Sequence, residues 1–492
     1  MPTSFSRRGF LAGATGVAGA ALRGISSAQA PPMNIVFILA DDLGWRDLGC
    51  YGSTFYETPN LDRFARQSVR FTNAYAACPV CSPTRASILT GKYPARLHIT
   101  DWIPGRRQWP TARLLTPRAP RFKQELPLDE VTLPQVLKPL GYTSASIGKW
   151  HLGGPQFYPE KHGFDLNVGG TEKGQPDSYF GPWNLPNLQG GTPDDYLTDR
   201  LTTEAEKFIE ANRNRPFFLY LPEFAVHLPR QGKADVIARF KAKANPKNPQ
   251  HDAIYAAMVA GLDDSVGRIL GKLDALGIAD RTAVFFMSDN GGVAYQGKQA
   301  ETITSNAPLR AGKGHIYEGG IREPMMIRWP GLGKPGSVCE TPVSSIDFFQ
   351  TILEIAGIEA NRRVPNDGVS LAPLLRGGTL RREAIYWHYP HYSDQGGYPA
   401  GAIRAGDYKL IEFYEDGRLE LYNLAKDIRE SDNLAGSDPK RTAKLHDMLK
   451  KWRSSVDAAM PAPNPQYDPS TAHEGLTGEN PRPAISEPSP HR

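Results

Sequence analysis

The sequence predicts an α/β fold, a large sheet between helices followed by a small antiparallel sheet with one helix. Three observations carry this expectation. Four strand-like runs each release polar residues at their carboxyl ends, amphipathic helical patterns fall between them, and the character of the chain changes near residue 380. At 492 residues, 40% hydrophobic and 22% charged, the composition is that of an ordinary globular protein, long enough for one large unit plus a smaller one. The net charge of +5 is too small and too scattered to argue for nucleic acid as a partner.

In chain order, Ser6-Arg7-Arg8-Gly9-Phe10-Leu11 resembles a twin-arginine export motif. A weakly apolar Ala/Gly-rich stretch follows, then Ala28-Gln29-Ala30, a small-x-small cleavage pattern. Residues 1–30 are therefore expected to be a signal peptide that takes the chain through the twin-arginine translocon to a periplasmic or secreted location. No other stretch has the length and apolarity of a membrane span, so no stable membrane insertion is expected.

Residues 34–40 (NIVFILA) form a continuous apolar run, the pattern of a strand buried on both faces, and end in Asp41-Asp42. The same grammar recurs at 143–147 before Gly148-Lys149-Trp150-His151, at 216–221 shortly before His227, and at 283–287 before Ser288-Asp289-Asn290-Gly291-Gly292. Ligands of open α/β sheets bind outside the carboxyl ends of the strands, so these polar clusters are expected to converge. Between them, 199–212 reads as a helix. Met258, Leu262, Val266, Ile269, Leu273 and Leu276 mark a clearer one that stops at Gly277. Beyond residue 380, 402–404, 408–414 and 419–424 read as short strands, with a hairpin signal at Glu415-Asp416-Gly417 and an amphipathic helix through Leu445, Met448, Leu449, Trp452 and Val456. The expected boundaries are 31–378 for the large domain, 379–460 for the small one and 461–492 for an extended or disordered tail.

The segment Cys81-Ser82-Pro83-Thr84-Arg85-Ala86-Ser87-Ile88-Leu89-Thr90-Gly91 reads as a short helix, with Pro83 in its first turn and Gly91 as its stop. Cys81 then lies at a helix N-terminus, which attracts anions, and shares a face with Arg85 one turn on. The other cysteines, Cys50, Cys78 and Cys339, make a poor disulfide framework. No second CxxC or spaced His pair completes Cys78-x-x-Cys81 as a zinc or redox site.

Adjacent Asp41 and Asp42 after a buried strand would repel without a cation, and hard oxygen donors suit Ca²⁺ or Mg²⁺. A capping role explains the pair equally well in isolation. Asp289 and Asn290 at another strand end tip the balance toward a metal site. Asp263-Asp264, on an amphipathic helix, reads as a solvated face. Lys149, His151 and His227 each follow a strand, and any one alone could be structural. Lys313 lies among glycines that permit close backbone approach, and its cation could reach an oxyanion.

Together these motifs resemble the type I sulfatases over about residues 33–435, in family order. The signature C-x-P-x-R-x-x-x-x-T-G matches Cys81 to Gly91, and GKWHLG, the His before Leu-Pro, SDNGG and GKGHIYEGGIREP match as well. The resemblance implies an alkaline-phosphatase-like fold with a large mixed, mostly parallel sheet. It implies conversion of Cys81 to formylglycine by a formylglycine-generating enzyme. It places a Ca²⁺, with Mg²⁺ as the alternative, on Asp41, Asp42, Asp289, Asn290 and the modified Cys81. It assigns Arg85 and Lys149 to the hydrated aldehyde, Lys149, His227 and Lys313 to the sulfate, and His151 to a later proton transfer. The implied substrate is a sulfate ester, an aryl sulfate or sulfated carbohydrate, in the arylsulfatase A and N-acetylgalactosamine-sulfatase branch. Three rivals remain: a phosphonate monoester or phosphodiester hydrolase of the same fold, a non-catalytic binder of sulfated glycans with an unmodified Cys81, and a redox protein built on Cys78 and Cys81. The segments 98–102, 106–109 and 387–392 suit a sugar-binding rim or ordinary packing equally well.

Overall fold

All seven residues of the strand Asn34–Ala40 are buried, and it lies inside a nine-stranded sheet. The computed structural model describes residues 32–105, 112–118, 121–294, 303–358 and 364–471. The export motif, the cleavage pattern, the 106–109 run and residues 472–492 of the tail lie outside them.

The strands are β1 Asn34–Ala40, β2 Val69–Tyr75, β3 Leu114–Leu115, β4 Thr143–Ile147, β5 Leu166–Val168, β6 Phe217–Pro222, β7 Thr282–Ser288, β8 Arg322–Arg328, β9 Val338–Cys339, β10 Val343–Ser344, β11 Ile385–Tyr389, β12 Ala400–Ala405, β13 Tyr408–Phe413, β14 Leu419–Asn423 and β15 Ala462–Pro463. The large sheet runs β10-β2-β8-β7-β1-β6-β4-β5, with β9 added to β2. Its pairings are parallel except those of β8 with β7 and β2, so the sheet is mixed and mostly parallel. Ile35, Phe37 and Leu39 belong to one apolar cluster and Val36, Ile38 and Ala40 to another. This two-faced burial explains the unbroken apolar run, since a strand covered on both sides has no position for a polar residue. Phe37 stacks on Phe285 of β7 and meets Phe348 of the helix Asp347–Ile355 edge-on, with ring centroids 4.7 Å apart.

The long helix Ala253–Ala275 covers one face of the sheet, its N-terminus capped by the Asp252 carboxylate, which accepts from the N–H groups of Ile254 and Tyr255. Asp263 corrects the expectation of a solvated face. It is buried and accepts from the backbone N–H of Asn60 and Leu61 and from the Asn60 amide, satisfying the N-terminus of the helix Pro59–Gln67. Asp264, one residue on, is exposed as expected.

The second sheet, β11-β12-β13-β14, is antiparallel, turns at Gly417 (φ 71°) and carries the helix Pro439–Ser455. It belongs to the same compact unit as the large sheet. Trp452 stacks flat on Tyr386 and edge-on against Tyr93. The Trp387 indole donates to the Ala76 carbonyl at 2.8 Å. Trp387, His388 and Tyr389 are thus buried members of β11, and packing, not a sugar rim, explains them. No helix among the described residues is long and apolar enough to cross a membrane.

Candidate active site

β1, β4, β6 and β7 run parallel as neighbours, so their carboxyl ends deliver Asp41-Asp42, Lys149 and His151, His227, and Asp289-Asn290 to one edge of the sheet. Two glycines let the chain close there. Gly148 has φ 123°, and a Cβ on it would stand 2.0 Å from the Pro222 carbonyl oxygen. A Cβ on Gly291 would stand 1.9 Å from that of Gly319. Asp42 and His151 hold left-handed φ values of 60° and 58°, a cost that non-glycine residues accept where their side chains must be aimed.

The helix Cys81–Thr90 approaches this edge with its N-terminus foremost, and all ten of its residues are buried. Its N-cap, Val80, has no side-chain acceptor, so the first N–H groups of the helix keep their partial positive charge beside Cys81. Gly91 ends it with φ 68°, as expected. Arg85, one turn in, places Nε 2.8 Å and Nη2 2.7 Å from Asp289 Oδ2, and Nη1 donates to the Lys149 carbonyl. Lys149 Nζ donates to Asp41 Oδ2 at 2.6 Å. Lys313 Nζ reaches both oxygens of Asp42, at 2.7 and 2.8 Å. Asn290 Nδ2 donates to Asp42 Oδ1 at 2.7 Å, and His227 Nε2 stands 3.5 Å from Asp42 Oδ2. Every site residue named from the sequence therefore belongs to one cluster.

Three buried carboxylates, Asp41, Asp42 and Asp289, face three cations, Arg85, Lys149 and Lys313. Burial pushes the Asp42 carboxyl up, but Lys313, His227 and Lys149 outweigh it and hold it below the ordinary range. Burial with the charge of Asp41 pushes Asp289 up to about 6, against Arg85. Burial also raises the Cys81 thiol, although Lys149 and Lys313 oppose it. Burial, reinforced by Lys313, lowers His227 to about 3, and burial with Lys149 holds His151 well below the ordinary range, so both imidazoles are neutral.

The donor set fits a hard divalent cation. Donor atoms of Asp41, Cys81 and Asp289 lie within 4.8 Å of one another. Asp41 Oδ1 and Asn290 Oδ1 are buried with no hydrogen-bond donor, and buried oxygens of this kind call for a cation or water.

The sequence reading missed the groups that orient these side chains. Ser82 Oγ donates to the His151 carbonyl and accepts from Ile103 N–H, and His151 Nε2 bonds the Ile103 carbonyl, leaving His151 Nδ1 without a partner. Ser288 Oγ bridges Leu43 N–H and the Asn290 carbonyl. Both serines sit inside the CSPTR and SDNGG motifs, next to residues of more conspicuous chemistry. In the 98–102 segment Ile99, Thr100 and Asp101 are buried, and Thr100 bonds His391. The four cysteines are free thiols.

Comparison with known proteins agrees with this geometry. The Sulfatase family profile matches residues 33–358, and the profile for the C-terminal part of N-sulphoglucosamine sulphohydrolase matches 311–456. The chain is 37% identical to human N-acetylgalactosamine-6-sulfatase, covering 74% of this chain and 70% of that protein. It is 33% identical to human arylsulfatase A, over 94% and 97%. Among solved structures it is similar to Ps i-CgsB in complex with a neocarrahexaose, with a TM-score of 0.72, 30% identity, and 89% and 94% of the two chains covered.

Proposed function

This chain belongs to the sulfatase family, in the branch of arylsulfatase A and N-acetylgalactosamine-6-sulfatase, and we propose that it removes sulfate from sulfated carbohydrates through a formylglycine derived from Cys81. It is a sulfuric ester hydrolase for sulfated carbohydrates or aryl sulfates, of which sulfated carbohydrates are the substrates proposed. The observation that carries the proposal is the position of Cys81. It sits at the open N-terminus of a buried helix, within 4.8 Å of the Asp41 and Asp289 donor atoms, with Lys149 and Lys313 both acting on its thiol.

As formylglycine, residue 81 supplies a hydrated aldehyde, with one hydroxyl to attack sulfur and a second through which sulfate is later expelled. Asp41, Asp42, Asp289 and Asn290 would hold a Ca²⁺ or Mg²⁺, which supplies Lewis acidity toward the oxygens beside it. Arg85 is locked on Asp289 and lies on the helix face of residue 81, so it favours the ionised form of the attacking oxygen. Lys149 and Lys313, fixed on Asp41 and Asp42, bind the sulfuryl oxygens together with the helix N-terminus. His227 protonates the leaving alcohol. Burial, with Lys313 and Lys149 added to it, keeps the resting imidazole neutral, so His227 takes up this proton from solvent as the anionic ester arrives and offsets the lysines. His151 donates Nε2–H to Ile103 and keeps Nδ1 as the base for the second hydroxyl.

The test is the mass of the tryptic peptide 71–85 from active protein. An aldehyde at residue 81 supports the proposal, and an unmodified thiol in fully active material overturns it. The export reading rests on residues 1–30: the twin-arginine translocon and a formylglycine-generating enzyme as partners, and a periplasmic or secreted location. Fractionation of wild type and an Arg7→Lys, Arg8→Lys variant tests it.

A further inference from the structure

A cleft of about 800 Å³, whose lining shares no residue with the sulfate cluster, lies where β2 and the start of β8 meet the end of β12. Three arginines line it, and each guanidinium lies over an aromatic ring. Arg70 is 5.2 Å from the Tyr51 ring, Arg322 is 5.3 Å from that of Trp45, and Arg404 is 5.2 Å from that of Tyr75. Stacking occupies the flat face of a guanidinium and leaves its N–H edge for hydrogen bonds. Arg322 and Arg404 are buried and anchored. Arg322 Nε donates to the Thr72 carbonyl and Nη1 to Glu318, and Arg404 donates to Asn73, Tyr75 and the Gly406 carbonyl. Arg70 is half-buried and has no ion pair among the described residues.

The charges around this cleft do not cancel in its interior. Behind it, Lys409 is buried between Glu318 and Glu430, at 3.0 and 2.9 Å. Lys409 is thus offset by its own carboxylate partners, and the lining of the cleft itself carries Arg70, Arg322 and Arg404 against Glu340 and Asp407, one cation in excess. Glu340 and Asp407 stand exposed on the rim and, among the described residues, are not in direct ion-pair contact with these arginines, although the charge of Asp407 acts on Arg404. The same glycine-rich segment carries Lys313 of the sulfate cluster at one end and Arg322 of the cleft at the other.

We propose that this cleft is a second anion site, which binds a sulfate or carboxylate group of the glycan chain other than the ester being hydrolysed. It rests on the reading of the substrate as a sulfated carbohydrate. Arg70 makes the exchangeable contact, while Arg322 and Arg404 form the preorganised wall.

The experiment is retention on immobilised dextran sulfate in a salt gradient, using the hydrolysis-deficient Cys81→Ala protein with and without Arg70→Ala or Arg70→Glu. The expected result is earlier elution for Arg70→Ala, with about tenfold weaker binding, and earlier still for Arg70→Glu. Unchanged retention in both variants overturns the proposal. So does equal retention on unsulfated dextran or on immobilised duplex DNA, which would show general adhesion. In the matured enzyme, Arg70→Ala should leave kcat/KM for an aryl sulfate unchanged and raise KM, not kcat, for a sulfated oligosaccharide. If the matured enzyme turns over neither ester, the proposed function fails, while the retention arm still decides the cleft on its own.

Discussion

Lys149 gives its ammonium to one oxygen of Asp41 at 2.6 Å, while the other oxygen of the same carboxylate is buried with no donor. One oxygen of this carboxylate thus meets two cations of the chain, Lys149 and, at 3.6 Å, Arg85, and the other is kept for the proposed metal. The first prediction follows. Addition of Ca²⁺ or Mg²⁺ should raise the unfolding temperature and EDTA should lower it. At about a hundred times the dissociation constant the gain is about 2.7 kcal/mol. Asp41→Asn and Asn290→Ala should each remove most of this increment in calorimetric scans, and a scan of wild type indifferent to EDTA would contradict it.

Arg85 and Asp289 are both fully buried and joined by two contacts. Arg85→Met leaves the carboxylate without its fixed partner and should cost about 3–5 kcal/mol in urea unfolding. The double variant Arg85→Met, Asp289→Asn should recover part of that stability and none of the turnover. Equal stability of the two variants would show that the pair does not couple.

If His227 protonates the leaving alcohol, its loss matters most where the alcohol leaves poorly. His227→Gln should lower kcat on a sugar sulfate by about 10²–10⁴. The loss should be much smaller on an aryl sulfate whose phenolate leaves unprotonated. Equal losses on both substrates would assign His227 to binding alone.

Glu223 follows β6 and is buried, with Oε1 accepting from Ser265 and Oε2 without a partner. Burial raises its carboxyl from 4.5 to about 8. The folded state therefore favours the proton, and this contribution to stability is complete below the unfolded value and lost as pH rises through about 8. Glu223→Gln should be more stable than wild type at about pH 9, with the gap closing toward about pH 5. Urea midpoints at the two pH values measure this, and a gap that does not change with pH rules it out.

Much of this architecture was legible because burial on both faces writes an unmistakable pattern. β1, β6 and β7 are largely apolar and stop at the polar residues they deliver, while β4, Thr143-Ser144-Ala145-Ser146-Ile147, is legible by its small and β-branched residues before Gly148. β8 was hidden because it opens on Arg322-Glu323-Pro324, and both charged groups are buried. β11 was hidden among aromatic and histidine residues that read equally well as a rim. Asp263 shows the limit from another side. Periodicity fixes its place along its own helix, but not that the start of another helix rests against it. Ser82 and Ser288 were visible in sequence, yet their work is orientation, which depends on partners from distant parts of the chain.

The complete burial of the helix Cys81–Thr90 sets an order of events. Residue 81 is 2% exposed, and no second protein can close around it once the strand ends have assembled. On the proposed reading, conversion of that side chain by another enzyme would have to occur while the segment is still an open peptide, ahead of folding and of the proposed export. Each molecule would have a single early interval in which to become an enzyme. One that folds too soon would keep its thiol, unreachable, inside an otherwise finished active site.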